Sequence, residues 1–140
     1  MEQAIKVTAR RAALFSFVLV FGFWLTLYFG WHFQSLWTDN ILHFSGGVWL
    51  ASLFDFFIYR TGIAETLGKP WLRLFFGLSF VALFSVLWEG YEFLGDLYLQ
   101  KHFLQPGLPD TMTDFMNDLS GALVFFSFFW PRKKAFVENK

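Results

Sequence analysis

Between Ala13 and Trp31 the chain carries no charged side chain. About 20 predominantly apolar residues in a helix cross the roughly 30 Å hydrocarbon layer of a bilayer, so this one run already directs the chain into a membrane. Three further runs follow. The second, Ile41 to Tyr59, contains His43, Gly46, Gly47 and Asp55, and the third, Leu72 to Leu94, contains Glu89 and Glu92. The fourth is continuously apolar only from Leu119 to Trp130, too short to cross. Its helix therefore has to start near Met112 and draw Asp114, Asn117 and Asp118 into or near the membrane before Pro131 stops it. The expected fold is an all-α membrane protein, a single four-helix transmembrane bundle with spans at about 13–31, 41–59, 72–94 and 112–130.

Composition supports the same class. Hydrophobic residues make up 56% of the 140 and charged residues only 16%, against about 25% in soluble domains. A soluble fold of this size could not cover 22 Phe and 7 Trp without large exposed apolar patches. Disorder is excluded by the high hydrophobicity, and nucleic acid binding by the absence of net positive charge. With no cysteine, disulfides, thiolate metal sites and cysteine nucleophiles are excluded as well. The first run follows Lys6, Arg10 and Arg11, as a signal peptide would. It is longer than an ordinary signal core, and Trp31-His32-Phe33 offers no small-residue cleavage site, so it reads as an uncleaved anchor. The linkers are short: Trp37-Thr38-Asp39-Asn40 reads as a turn and cap, Gly62 to Pro70 as a polar loop, and Gln105 to Asp110 as a loop with Asp110 capping the last helix.

The net charge of zero hides an asymmetry. Ten of the eleven basic residues precede span one, flank the loop after span two or follow span four; only Lys101 falls on the other side. Cytoplasmic loops are enriched in Lys and Arg, so both termini are expected in the cytoplasm. Trp31, Trp37, Trp71 and Trp130 fall at expected helix ends, where amphipathic rings favour the interface. This topology places Asp39, His43, Glu89, Glu92, Asp96, Asp110, Asp114 and Asp118 in the outer half. An ionisable group inside a span costs about 2.5–3.5 kcal/mol on insertion scales and is expected to face the bundle interior or a wet cavity.

Helical spacing brings these groups together. Glu89 and Glu92 share a face that Ser85, Ala82 and Ser79 continue inward. Asp110, Asp114 and Asp118 recur every four residues, with Gly121 and Ala122 beyond them, and Asp39, His43, Gly47 and Ala51 do the same on span two. Small residues let membrane helices approach closely, so the three stripes are expected to face one another. At 1.5 Å per residue, His43 sits roughly 3 Å inside its outer boundary, Glu89 about 7 Å and Asp118 about 9 Å. Carboxylates this close cannot all stay ionised in a low dielectric without compensation. The charge is to be met by protons, a divalent ion or a cationic ligand. His43, Glu89, Glu92, Asp114 and Asp118 form a donor set suited to Zn, Mn or Fe, although the paired Glu-x-x-His pattern of helical carboxylate centres is not present. Blander readings exist for single residues: His43 bonded to Asp39 or a backbone carbonyl, and Asp55 paired with Arg60 or Arg73.

Asp39-Asn40-Ile41-Leu42-His43-Phe44-x-x-Gly47, Trp88-Glu89-x-x-Glu92-Phe93 and Asp110-Thr111-x-x-Asp114-x-x-x-Asp118-x-x-Gly121-Ala122 together resemble the YjdF type of small bacterial inner-membrane protein. More loosely, the chain is similar to VanZ-like proteins, which are associated with glycopeptide antibiotic resistance. The resemblance covers about residues 37–123 and implies a multi-pass protein of the bacterial inner membrane but no particular reaction.

Three functions fit these residues. The first is a metal-assisted hydrolase or transferase acting on a lipid or lipid-linked envelope substrate, with Glu89 and Asp118 as its catalytic carboxylates. The second is a non-catalytic envelope factor that binds a cationic headgroup, peptide or antibiotic. The third is an ion-coupled transporter, which the scarcity of polar residues in the inner half disfavours. Membrane lipids are the expected surroundings in each case.

Overall fold

The structure is a computed structural model that describes residues 1–30, 36–99 and 107–129. Four long helices and one single-turn helix make it up: α1 (Glu2–Tyr28), α2 (Leu36–Arg60), α3 (Ile63–Thr66), α4 (Pro70–Leu99) and α5 (Leu108–Phe129). No strand occurs among the described residues. Three helices, Glu2–Tyr28, Trp37–Arg60 and Pro70–Tyr98, are long and apolar enough to cross a membrane. The expectation of four such spans is met for three, because the N-terminal half of α5 carries Asp110, Asp114, Asn117 and Asp118.

Several boundaries differ from those expected. Residues 37–40 are not a turn; they form the start of α2, where Asp39 sits in the first turn and favours the positive end of the helix dipole. Asp110 likewise lies inside the first turn of α5 and does not cap it, since Leu108 and Pro109 already belong to the helix. Proline is tolerated there because first-turn N–H groups have no helical partner. The Gly62–Pro70 loop contains α3, and a buried guanidinium holds it: Arg73 donates from Nε to the Leu67 carbonyl at 3.2 Å, from one terminal nitrogen to the Tyr59 hydroxyl at 3.2 Å, and from the other to the Ala64 carbonyl of α3. Asp55, expected beside Arg60 or Arg73, is buried where the charges of Arg11 and Arg73 reach it. Trp31, Lys101, Trp130, the residues from Pro131 onward, and Gln105 and Pro106 lie outside the described residues.

α2 is the central helix, packed against α1, α4 and α5. Its Gly46-Gly47 pair leaves the helix unbroken and brings α5 close. A Cβ on Gly47 would meet the Asp118 backbone, with Cα only 2.8 Å away, and one on Gly121 would meet the Phe44 carbonyl and the Val48 nitrogen at 3.0 Å. No side chain fits at either place, and this contact is what lets acids on α5 reach a histidine on α2. Further along the same pair of helices the packing turns apolar, with Ala51, Phe54 and Ile58 of α2 against Ala122, Phe125 and Phe126 of α5. Large apolar residues elsewhere face outward, among them Phe17 and Trp24 of α1 and Leu87 of α4. Water would penalise such a surface, whereas lipid solvates it.

Candidate metal centre

His43 is 8% exposed and is approached from both sides of its ring. Its Nε2 lies 3.8 Å from Asp39 Oδ1, one helical turn earlier on α2, and 3.9 Å from Asp114 Oδ1 on α5. Its Nδ1 lies 3.4 Å from Asp118 Oδ2. That oxygen also accepts a short hydrogen bond from the Ser85 hydroxyl of α4. Three helices thus converge on one imidazole. Asn117 Nδ2 donates to Asn40 Oδ1 at 2.7 Å and ties the N-terminal parts of α5 and α2 together, about one turn before Gly121 and two turns before Gly47.

Of the residues expected to cluster, the structure places Asp114, Asp118, Glu89 and Glu92 around His43. Asp39, His43 and Asp114 each offer one ligand atom, all within 4.8 Å of one another, and so do His43, Glu89 and Glu92. A buried cluster of this kind can hold a metal ion. Asp118 meets His43 through the other ring nitrogen. Asp39, noticed in the sequence as part of the α2 stripe but left out of the ligand set, joins it because α2 begins early enough to place it one turn from His43. Asp114 is 2% exposed, and its Oδ1, the oxygen that faces His43, has no hydrogen-bond partner. An ionised oxygen buried in that state is costly, and a cation seated between it and Nε2 would remove the penalty. Asp110, ahead of the buried part of α5, lies close enough to Asp39, Glu89 and His43 to feel their charges. The cluster is rich in carboxyl groups, with no Lys or Arg among its described members.

A cavity of about 330 Å³ opens beside this cluster. Its polar lining is Asp39, His43, Ser85, Glu92 and Asp118, and the rest is apolar or aromatic, including Leu19 of α1, Trp49 and Leu50 of α2 and Phe84 of α4. Trp88 Nε1 donates to Glu92 Oε1 at 2.9 Å and fixes that carboxylate at the rim. Trp49 Nε1 donates to the Ser16 hydroxyl at 2.7 Å and fastens α1 to α2 near the apolar end. No feature of the sequence announced this cavity, since it depends on how far α1 and α4 stand apart over α2.

The chain belongs to the family described as Predicted membrane protein (DUF2238), whose model matches residues 6–135. It is a membrane protein with apolar helices, as that family and the three long apolar helices agree. No curated protein and no solved structure matches it.

Proposed function

We propose that this is a multi-pass protein of the bacterial inner membrane whose outer-leaflet centre binds one divalent ion and acts as a hydrolase or transferase on a lipid or lipid-linked envelope substrate. In this reading α5 is the fourth crossing of a four-helix bundle, since its 22 residues span about 33 Å. Both termini lie in the cytoplasm with the basic residues. The observation that carries the reading is the buried imidazole with carboxylates at both nitrogens, Asp39 and Asp114 at Nε2 and Asp118 at Nδ1.

That pattern assigns roles. His43 Nε2, Asp39 and Asp114 hold the ion, and Asp118, accepting from Nδ1–H and from Ser85, fixes the tautomer and ring orientation as carboxylates do behind metal-bound histidines. Asp118 is therefore a positioning residue here, although its place in the span suggested catalysis. Glu89, buried beside the same imidazole on α4, is the carboxylate placed to take a proton. The ion would act as a Lewis acid and lower the pKa of a bound water. Transport is disfavoured because Ala51, Ala122, Phe125 and Phe126 fill the α2–α5 contact beyond the cluster.

Elemental analysis and calorimetry on purified protein test the proposal. One divalent ion per chain is expected in the wild type, with binding strongly weakened in Asp114→Asn and His43→Ala. A wild type that binds no divalent ion, or an Asp114→Asn variant that binds it equally well, overturns the metal centre.

A further inference from the structure

The cavity beside His43 has the shape and polarity of an amphiphile. Along α2 it runs from Asp39 to Leu50, roughly 16 Å at 1.5 Å per residue. Its volume of about 330 Å³ falls in the ordinary range for ligand pockets. One end is acidic. Elsewhere it is lined by side chains without charge, and the Trp49–Ser16 hydrogen bond holds α1 against α2 there. α2 supplies one side of the slot and α1 and α4 supply others, with Asp118 of α5 at the cluster.

We infer that this slot takes one long alkyl chain whose cationic head lies at Glu92, with the scissile or transferred group beside His43. The inference rests on the proposed metal centre for the chemistry and for which acids remain to meet the head, but not for the fit of the alkyl chain. The choice of a cationic head follows from charge. In the proposed centre Asp39 and Asp114 face the divalent ion and Asp118 accepts from His43 and Ser85, which leaves Glu92 at the rim and Asp110 nearby with no Lys or Arg among the described residues of the cluster. An anionic head in the same place would face like charge, which costs several kcal/mol at a close interface. Trp88 holds the Glu92 carboxylate in position, and its indole ring, half exposed, offers a face to a cation as well.

The test uses the full chain in nanodiscs of uncharged lipid and two radiolabelled probes of equal chain length, dodecyltrimethylammonium and dodecyl phosphate, each compared with empty discs. Saturable binding of about one ammonium probe per chain is expected, at least about tenfold tighter than the phosphate. Val20→Trp places an indole in the α1 wall at a position already 55% exposed, where folding should not suffer, and is expected to abolish probe binding while leaving divalent-ion affinity unchanged. Glu92→Gln is expected to remove the preference between heads and keep the chain bound. Equal binding of both probes by the wild type, retention no greater than in empty discs, or unchanged binding by Val20→Trp overturns the inference. Divalent-ion affinity is measured on the same samples without probe. A protein that discriminates the probes but binds no ion therefore refutes the metal centre alone, and one that binds the ion but not the probes refutes the slot alone.

Discussion

Gly47→Ala should damage the centre without touching any of its charged groups. The added methyl would stand 2.8 Å from Asp118 Cα and closer still to the Asp118 carbonyl oxygen, whereas ordinary contacts of a Cβ begin at 3.4 Å. Both obstacles are backbone atoms in a helix, so no rotamer change relieves them, and α5 has to move from α2 by more than half an ångström. Overpacking of this kind costs about 1–3 kcal/mol. The same movement stretches the 3.4 Å and 3.9 Å approaches of Asp118 and Asp114 to His43, so divalent-ion affinity should fall as well as stability. Gly90→Ala is the control, because it follows Glu89 directly yet has nothing within 4 Å of its added Cβ. It should be neutral or gain up to about 1 kcal/mol from helix propensity. Thermal unfolding in detergent, followed by circular dichroism, reads the first effect, and calorimetric titration with a divalent ion reads the second. If Gly47→Ala proves as harmless as Gly90→Ala in both assays, the close α2–α5 approach and the site built on it are wrong.

Asp118→Asn should leave the ion-binding site assembled but weaken its affinity by about 10–100-fold, the usual cost of losing a carboxylate behind a metal-bound histidine, whereas Asp114→Asn should cost more; parallel titrations separate the two. Chelation should lower the unfolding temperature, since an ion present at 100 times its dissociation constant contributes about 2.7 kcal/mol, and adding the ion back should restore it. Arg73→Met removes charge-assisted hydrogen bonds to Leu67, Ala64 and Tyr59, and should destabilise the fold by about 2–3 kcal/mol while leaving ion affinity unchanged, as unfolding and titration together would show.

Much of this was legible in the residues because membrane helices leave few ways to place a charge. Acids recurring every four residues on α5 had to share a face, and Asp114 and Asp118 are indeed buried there with Gly121 and Ala122. The small-residue stripe on α2 likewise pointed to a close contact, which Gly47 makes. What failed was local. Trp37 to Asn40 looks like a turn because Thr, Asp and Asn favour caps, yet α2 continues through them, and Asp39 consequently reaches His43 Nε2. Spacing could place His43 near Asp118 but not say which ring nitrogen each carboxylate meets. The role of Ser85 as donor to Asp118 and the Asn40–Asn117 bond depend on helix rotation, and the cavity on the separation of α1 from α4. None of these has a period to read.

The central claim is that His43 Nε2 faces an ion shared with Asp39 and Asp114. X-ray absorption spectroscopy on the zinc-loaded protein tests it most directly. One imidazole nitrogen and otherwise oxygen donors are expected around the metal, with the nitrogen signal lost in His43→Ala. A spectrum without imidazole, or one that His43→Ala leaves unchanged, would contradict it.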